Sequence, residues 1–351
     1  MNQVMSRPTL LLILLLLFVV AGCGGAMPGS AVQPSATAVA TEVAHAEDGD
    51  THATETMPPL APVSLSGGEK LRVVVTTNFI GDVVRTVGGD AIELTQLLPI
   101  GADPHSYQAK PDDMRALNDA HVVLVNGLHL EEAMQSVFDS LGDIPVVSIN
   151  AGVETIEFGA AYVEESAPAD QHDHGDADPH TWMDVRNVQL WTDNVVTVLS
   201  ALDPSNAETY AANGATYRAA LAALHDELVA AFAAIPADRR KLVTDHDNLG
   251  YLARAYGLTV VGAVIPSLST LASPSAQELA ALQTQIADEG VKAVFVGTTV
   301  NPDVAAQIAA DTGATVVPIY TDSLSAAGGP AATYIDMMRY DAAQIVAALQ
   351  K

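Results

Sequence analysis

The sequence predicts an α/β protein of two lobes, each built on a sheet of parallel-type strands, joined by one long rigid helix. Short β-branched runs alternate with helical stretches from Leu71 to Ile149, and the same alternation returns from Lys241 to Leu349. Such alternation produces parallel sheets covered on both faces. Between the two sets, residues 203–235 are Ala-rich, interrupted only by Gly214 after the opening Asp203-Pro204. Asp as N-cap and Pro at the first helical position start a helix well. Roughly 30 residues at 1.5 Å each give a helix of ~45 Å, long enough to cross a molecule. Pro236 ends it.

In the first lobe, expected over residues 69–202, strands are predicted at Leu71 to Thr76, Ile92 to Leu98, His121 to Asn126 and Pro145 to Ile149. Helices are predicted at Phe79 to Val87, Asp112 to Asn118, Leu130 to Leu141 and Trp182 to Leu202. The pattern fails between Glu154 and Asp178, and residues 164–180 form a polar stretch carrying His172, Asp173, His174, Asp176 and Asp178. This reads as a flexible acidic loop, which needs no metal to explain it, although closely spaced histidines also collect metals. In the second lobe, residues 236–351, strands are predicted at Lys241 to Thr244, Thr259 to Val264, Ala293 to Val296 and Thr315 to Ile319. Helices are predicted at Asn248 to Tyr256, Ser275 to Asp288, Pro302 to Asp311 and Ala331 to Leu349. No close sequence repeat links the lobes; their similarity is one of architecture.

The N-terminus reads as an address. Arg7 precedes the apolar run Leu10 to Val20, which is too short for a span of ~20 residues and fits a signal peptide over residues 1–22. Its end, Val20-Ala21-Gly22-Cys23, resembles the lipobox of bacterial lipoproteins, implying cleavage before Cys23 and lipidation of that cysteine. An ordinary secretory signal with an incidental cysteine is the alternative. Cys23 is the one cysteine in the chain, which rules out an internal disulfide and a multi-thiolate metal site. Residues 23–68 are rich in Ala, Thr, Pro, Ser and acid, and read as a tether that also carries His45 and His52. The 351 residues include 15 Lys and Arg against 42 Asp and Glu, a net charge of −27, which argues against a nucleic-acid partner. Plain solubility accounts for that charge, and attraction of cations is the second reading.

Ten histidines remain to be sorted. His45, His52, His172 and His174 fall in the segments read as flexible. His121 begins a strand, His129 precedes a helix and His225 lies in the long helix, where packing or surface roles suffice. That leaves His105, His180 and His246, each just after a predicted strand or loop end, with Asp322 as a fourth candidate beyond the last strand. In open α/β sheets ligands sit beyond the carboxyl ends of the strands, so these four would converge in the cleft between lobes. The tripeptide Asp-Pro-His occurs twice, at Asp103-Pro104-His105 and Asp178-Pro179-His180. Pro stiffens the backbone, and the Asp is placed to accept the second ring N–H of its histidine. A turn that merely contains a histidine is the alternative for either copy. Asp245 and Asp247 flank His246 and are candidates for the same supporting role.

Taken together, these stretches resemble the substrate-binding proteins of bacterial ABC importers for zinc and manganese. The resemblance runs through Gly101-Ala-Asp-Pro-His-Ser-Tyr107, Asn126-Gly-Leu-His-Leu-Glu131, Asp178-Pro-His-Thr-Trp-Met-Asp184, Thr244-Asp-His-Asp247 and Tyr320-Thr-Asp-Ser-Leu324. It implies two α/β lobes on one linking helix, with a metal site in the inter-lobe cleft formed by His105, His180, His246 and Asp322. It also implies export, a lipid anchor on the outer face of the cell membrane or a periplasmic location, a monomer, and an ABC permease with its ATPase as partners. The loop with His172 and His174 resembles the metal-collecting loop of zinc-specific members. Two departures stand out: the chain lacks the second-lobe disulfide of some zinc members, and Gly297 stands where many members carry a carboxylate.

Three imidazoles and one carboxylate in a closed four-coordinate site suit zinc, which also outcompetes manganese at nitrogen sites. Zinc is therefore expected as transported substrate, with manganese or iron as alternatives should Asp322 bind through both oxygens. Neutral imidazoles are required, so affinity is expected to fall below pH ~6. A zinc hydrolase would need an open coordination position and a base such as that of a His-Glu-x-x-His helix, which the sequence lacks. The chain is accordingly not expected to be an enzyme. A metal-binding surface adhesin is a further alternative.

Overall fold

The computed structural model describes residues 55–157 and 177–351. Cys23, His45, His52, His172 and His174 lie outside the described residues, as do the signal peptide and most of the 164–180 loop.

The first lobe runs β1 (Leu71–Val75), α1 (Asn78–Gly88), β2 (Ile92–Gln96), α2 (Pro111–Asn118), β3 (Val122–Val125), α3 (Gln135–Asp139), β4 (Val146–Ser148) and α4 (Val185–Leu202). Its strands pair in parallel in the order β2-β1-β3-β4. After α5 (Ala207–Ala233), the second lobe runs β5 (Lys241–His246), α6 (Gly250–Tyr256), β6 (Thr259–Ile265), α7 (Ala276–Asp288), β7 (Ala293–Gly297), α8 (Asp303–Thr312), β8 (Thr315–Ile319) and α9 (Tyr334–Leu349). Its order is β6-β5-β7-β8, again parallel throughout. The two lobes thus repeat one topology without repeating a sequence. Central strands β1, β3 and β7 are almost wholly apolar and buried, as a sheet covered on both faces requires, and β5 is equally buried but ends in the polar run Thr244-Asp245-His246.

Helix α5, about 40 Å long at 1.5 Å per residue, packs on α1 and α4 of the first lobe and on α6 and α9 of the second. It buries Tyr210, Gly214, Tyr217, Leu221, Leu224, Leu228 and Phe232, a spacing of three and four that keeps one seam against the protein. Gly214 lets α4 approach closely, since a Cβ there would lie 2.4 Å from Val196 Cγ2. Basic side chains cluster where helices end beside the start of β5. Arg240 donates to the carbonyls of Ala233 and Ile235, Lys241 to that of Glu289, and Arg239 to that of Gln350. They satisfy the last carbonyls of three helices and complement their negative ends.

Three expectations are corrected. The tether does not extend to residue 68: from Glu55 onward the chain lies on the first lobe, with Met57, Leu60, Val63 and Leu65 half-buried against its core and Val63 N–H donating to the Leu202 carbonyl. Sparse apolar residues without helical or strand period left this packing invisible. The helix expected over Leu130 to Leu141 shrinks to a 3-10 turn, Glu132–Met134, and the short α3. Gly127, Leu128 and His129 before it hold φ of 76°, 52° and 62°, a left-handed run that postpones any helix. The long helix begins at Ala207, because Pro204–Asn206 form a 3-10 turn first and Asp203 takes bonds from Ser205, Asn206 and Tyr210.

Candidate metal centre

The four candidates arrive from four different segments. His105 is in the loop after β2, His180 precedes the 3-10 turn that leads into α4, His246 ends β5 and Asp322 follows β8. All four are buried, and one ligand atom from each lies within 4.8 Å of the others. Among the described residues this is the one cluster of His, Cys, Asp and Glu with that geometry. The His180 ring is central: its Nε2 lies 3.2 Å from His105 Nε2 and 3.3 Å from His246 Nε2. Zinc–nitrogen bonds of about 2.0–2.1 Å in tetrahedral array put neighbouring nitrogens about 3.3–3.4 Å apart, so the rings already stand at ligand spacing.

Carboxylates orient two of these rings. His180 Nδ1 lies 2.8 Å from Asp178 Oδ1, and His246 Nδ1 lies 3.0 Å from Asp245 Oδ1. An Nδ1–H donated to each carboxylate leaves Nε2 free to ligate. The first Asp-Pro-His unit works differently. Asp103 accepts from the His105 backbone N–H, and its other oxygen takes the Ser106 and Thr270 hydroxyls, so it fixes the loop and not the ring. Asp245 in turn accepts from the Gly297 N–H at 2.7 Å. A Cβ on Gly297 would stand 2.3 Å from Thr321 Oγ1 and 3.0 Å from Asp245 Oδ2, so any side chain there would push on Thr321 and the Asp245–His246 pair. Asp322 is divided: Oδ2 accepts the hydroxyls of Thr321 and Thr299, while Oδ1 is buried without a partner. An orphan buried oxygen is costly, and here it belongs to a carboxylate that has one oxygen within 4.8 Å of a nitrogen of each of the three rings.

Burial, reinforced by the neighbouring rings, drives His105 down to about 2 and His180 well below the usual imidazole value. Burial also opposes charge on His246, but the carboxylates of Asp245 and Asp322 outweigh it and lift that ring to about 9. Burial raises Asp322 to about 6 and Asp178 to about 7. The shifts thus run in opposite directions: burial disfavours charge on the first-lobe rings, while the carboxylates beside His246 favour it there.

Around the site the lobes are stitched together. Trp182 Nε1 donates to the Thr321 carbonyl, and its indole meets the His180 ring edge-on with centroids 5.2 Å apart. Tyr251 O–H donates to the Asp178 carbonyl, Thr270 O–H to Asp103, and Asn78 Nδ2 to Ser323 Oγ. His105, His180 and Asp322 thus each lie within two residues of an inter-lobe bond. Trp182, Tyr251, Thr270 and Asn78 escaped the sequence reading, although Trp182 lies inside a motif that drew attention. Of the histidines set aside, His121 accepts from Arg72 N–H and His225 packs on Tyr256, both away from the cluster.

Residues 73–348 match the family described as zinc-uptake complex component A, periplasmic. The manganese-binding lipoprotein MntA of Halalkalibacterium halodurans is 31% identical over 285 residues, covering 81% of this chain and 90% of that protein. Among solved structures, the periplasmic zinc-binding protein TroA of Treponema pallidum aligns with a TM-score of 0.70 at 28% identity, over 81% of this chain and all (100%) of that one. The Mn-bound periplasmic metal-binding protein of Candidatus Liberibacter asiaticus aligns equally, with a TM-score of 0.70 at 29% identity, over 80% of this chain and 100% of that one. With the family matched across most of its length and the same two-lobed fold, this chain belongs to the periplasmic zinc-uptake component A family of metal-binding proteins.

Proposed function

We propose that the protein captures zinc in the inter-lobe cleft and delivers it to the permease of an ABC importer. The exported, lipid-anchored chain is the substrate-binding component, and the permease and its ATPase are its partners. The signal peptide over residues 1–22 directs export and the lipid on Cys23 supplies the anchor; no helix among the described residues is long and apolar enough to cross a membrane. His105, His180 and His246 give Nε2, and Asp322 gives Oδ1.

The observation that carries zinc is the division of labour at Asp322. Two hydroxyls occupy Oδ2, so one oxygen remains for the ion, and the donor set becomes three nitrogens and one oxygen. Four protein ligands of that kind would fill the tetrahedral shell that zinc prefers. It leaves no open position for a reactive water, which favours holding over hydrolysis. Capture begins with an ion meeting two neutral imidazoles. It is completed as His246 gives up its proton and both carboxylates balance the dication. Release requires only that one lobe's pair of ligands draw away from the other's.

Manganese is the second reading, favoured by the manganese-binding name of the relative from Halalkalibacterium halodurans. Metal content of untagged protein, followed by competition between zinc and manganese, decides. Zinc retained against manganese follows from affinity order at any such site, so the deciding result is the ion carried as isolated: zinc supports the proposal, and manganese, or displacement of zinc by manganese, overturns it.

A further inference from the structure

The arm that begins at Glu55 lies outside the family-matched residues 73–348, yet it ends in a built carboxylate seat on the first lobe. Glu55 Oε1 accepts the Leu128 N–H at 3.2 Å, Oε2 meets the Ser148 hydroxyl, and the Glu55 carbonyl accepts the Gly152 N–H at 3.1 Å. The seat exists because Gly127 has no side chain: a Cβ there would lie 2.6 Å from Glu55 Oε1 and 2.7 Å from Ser148 Oγ. Its floor is the left-handed run at residues 127–129, a conformation that Leu128 and His129 adopt only when held.

From the seat a short chain of bonds leads to the metal centre. Ser148 Oγ also lies 2.8 Å from the Asn126 carbonyl, so its single proton is shared between that carbonyl and Glu55 Oε2, and Asn126 Nδ2 donates to the Pro179 carbonyl at 3.0 Å, one residue before His180. Glu131 closes the other side, accepting the N–H groups of Asn126 and Gly127.

We propose that Glu55 is a positioning residue for His180: seated against Gly127, Leu128 and Ser148, it fixes Asn126 and thereby the turn that presents the central ring. The inference rests on the transport reading above. It makes the arm leading from the anchored N-terminus part of what determines how long the metal is held. A residue three hydrogen bonds removed from the backbone beside a ligand should matter less than a direct partner of the ligand, which is worth roughly 10–100-fold, so about fivefold is expected.

The test uses the full chain as Glu55→Ala, Glu55→Gln and, as control, Leu60→Ala, which removes arm packing but leaves the carboxylate. Zinc dissociation is followed by chelator chase, the site geometry by the visible spectrum of the cobalt-loaded protein, and stability by Tm. Glu55→Ala should release zinc about fivefold faster and shift the cobalt bands, Glu55→Gln should fall between it and wild type, and Leu60→Ala should lower Tm alone. Unchanged dissociation and spectrum in Glu55→Ala would overturn the inference, as would equal acceleration by Leu60→Ala. Wild-type protein that holds neither zinc nor cobalt would instead remove the transport reading itself.

Discussion

The two lobes share one strand order but bring unlike halves to the site. The first contributes His105 and His180, both kept neutral by burial. The second contributes His246 and Asp322, with Asp245 behind, and there carboxylates hold a proton on His246. One half is thus a neutral pair and the other a carboxylate-surrounded pair in which, under the proposed function, a metal would replace a proton. Equal topology does not make equal chemistry; the residues just beyond the strand ends decide it.

The largest effect should come from the central ring. His180→Ala removes the nitrogen that stands between the other two, and zinc affinity should fall by more than the roughly 100-fold that loss of an outer partner can cost. His225→Ala, whose ring packs on Tyr256, should leave affinity unchanged by chelator competition. Equal losses would dissolve the distinction between the cluster and the remaining histidines.

Next comes pH. A ring raised to about 9 is protonated below that pH, and zinc must displace the proton. Affinity should therefore climb about tenfold per unit from pH 6 to 9 and flatten above. Below about 6, where Asp322 also takes up a proton, the slope should steepen. The general imidazole value had pointed to a loss only below ~6; carboxylates around His246 move the onset upward. Affinity independent of pH between 6 and 9 would show that His246 is not the proton store.

Removing the orienting carboxylates sharpens the contrast between lobes. Asp178→Asn and Asp245→Asn should each weaken zinc by roughly 10–100-fold. Asp245→Asn alone should also flatten the pH dependence between 7 and 9, because it removes the leading charge that lifts His246. Calorimetry in buffers of different ionisation heat would read the released proton, and identical profiles for the two variants would contradict the asymmetry. A smaller effect is expected for Gly297→Ala. The new methyl presses on Thr321 and Asp245, costing about 1–3 kcal/mol of stability in denaturant unfolding. The smallest is the change in shape: helix α5 packs on both lobes and the cleft is stitched by hydrogen bonds, so the scattering radius should barely move on adding zinc.

Much of this was legible in the sequence because it rests on local pattern. The β-branched runs at Leu71, Val122, Lys241 and Ala293 announced the central strands, and the uninterrupted Ala-rich stretch announced α5. The four clustered side chains could be found because each follows a strand or loop end. What depended on distant partners could not be read. The two Asp-Pro-His units are identical in sequence, yet Asp178 orients its ring while Asp103 is drawn away by Thr270, far along the chain. The arm from Glu55 has no period to detect, and its seat is made by Gly127 and Ser148. The free oxygen of Asp322 is visible only once Thr299 and Thr321 are seen to occupy the other.

The central claim is a closed shell of three imidazoles and a single carboxylate oxygen. X-ray absorption at the zinc edge, on protein loaded with one equivalent, addresses it directly. The account predicts four ligands at about 2.0–2.1 Å, three of them with imidazole scattering. A shell of five or six, or one with fewer than three imidazoles, would contradict it.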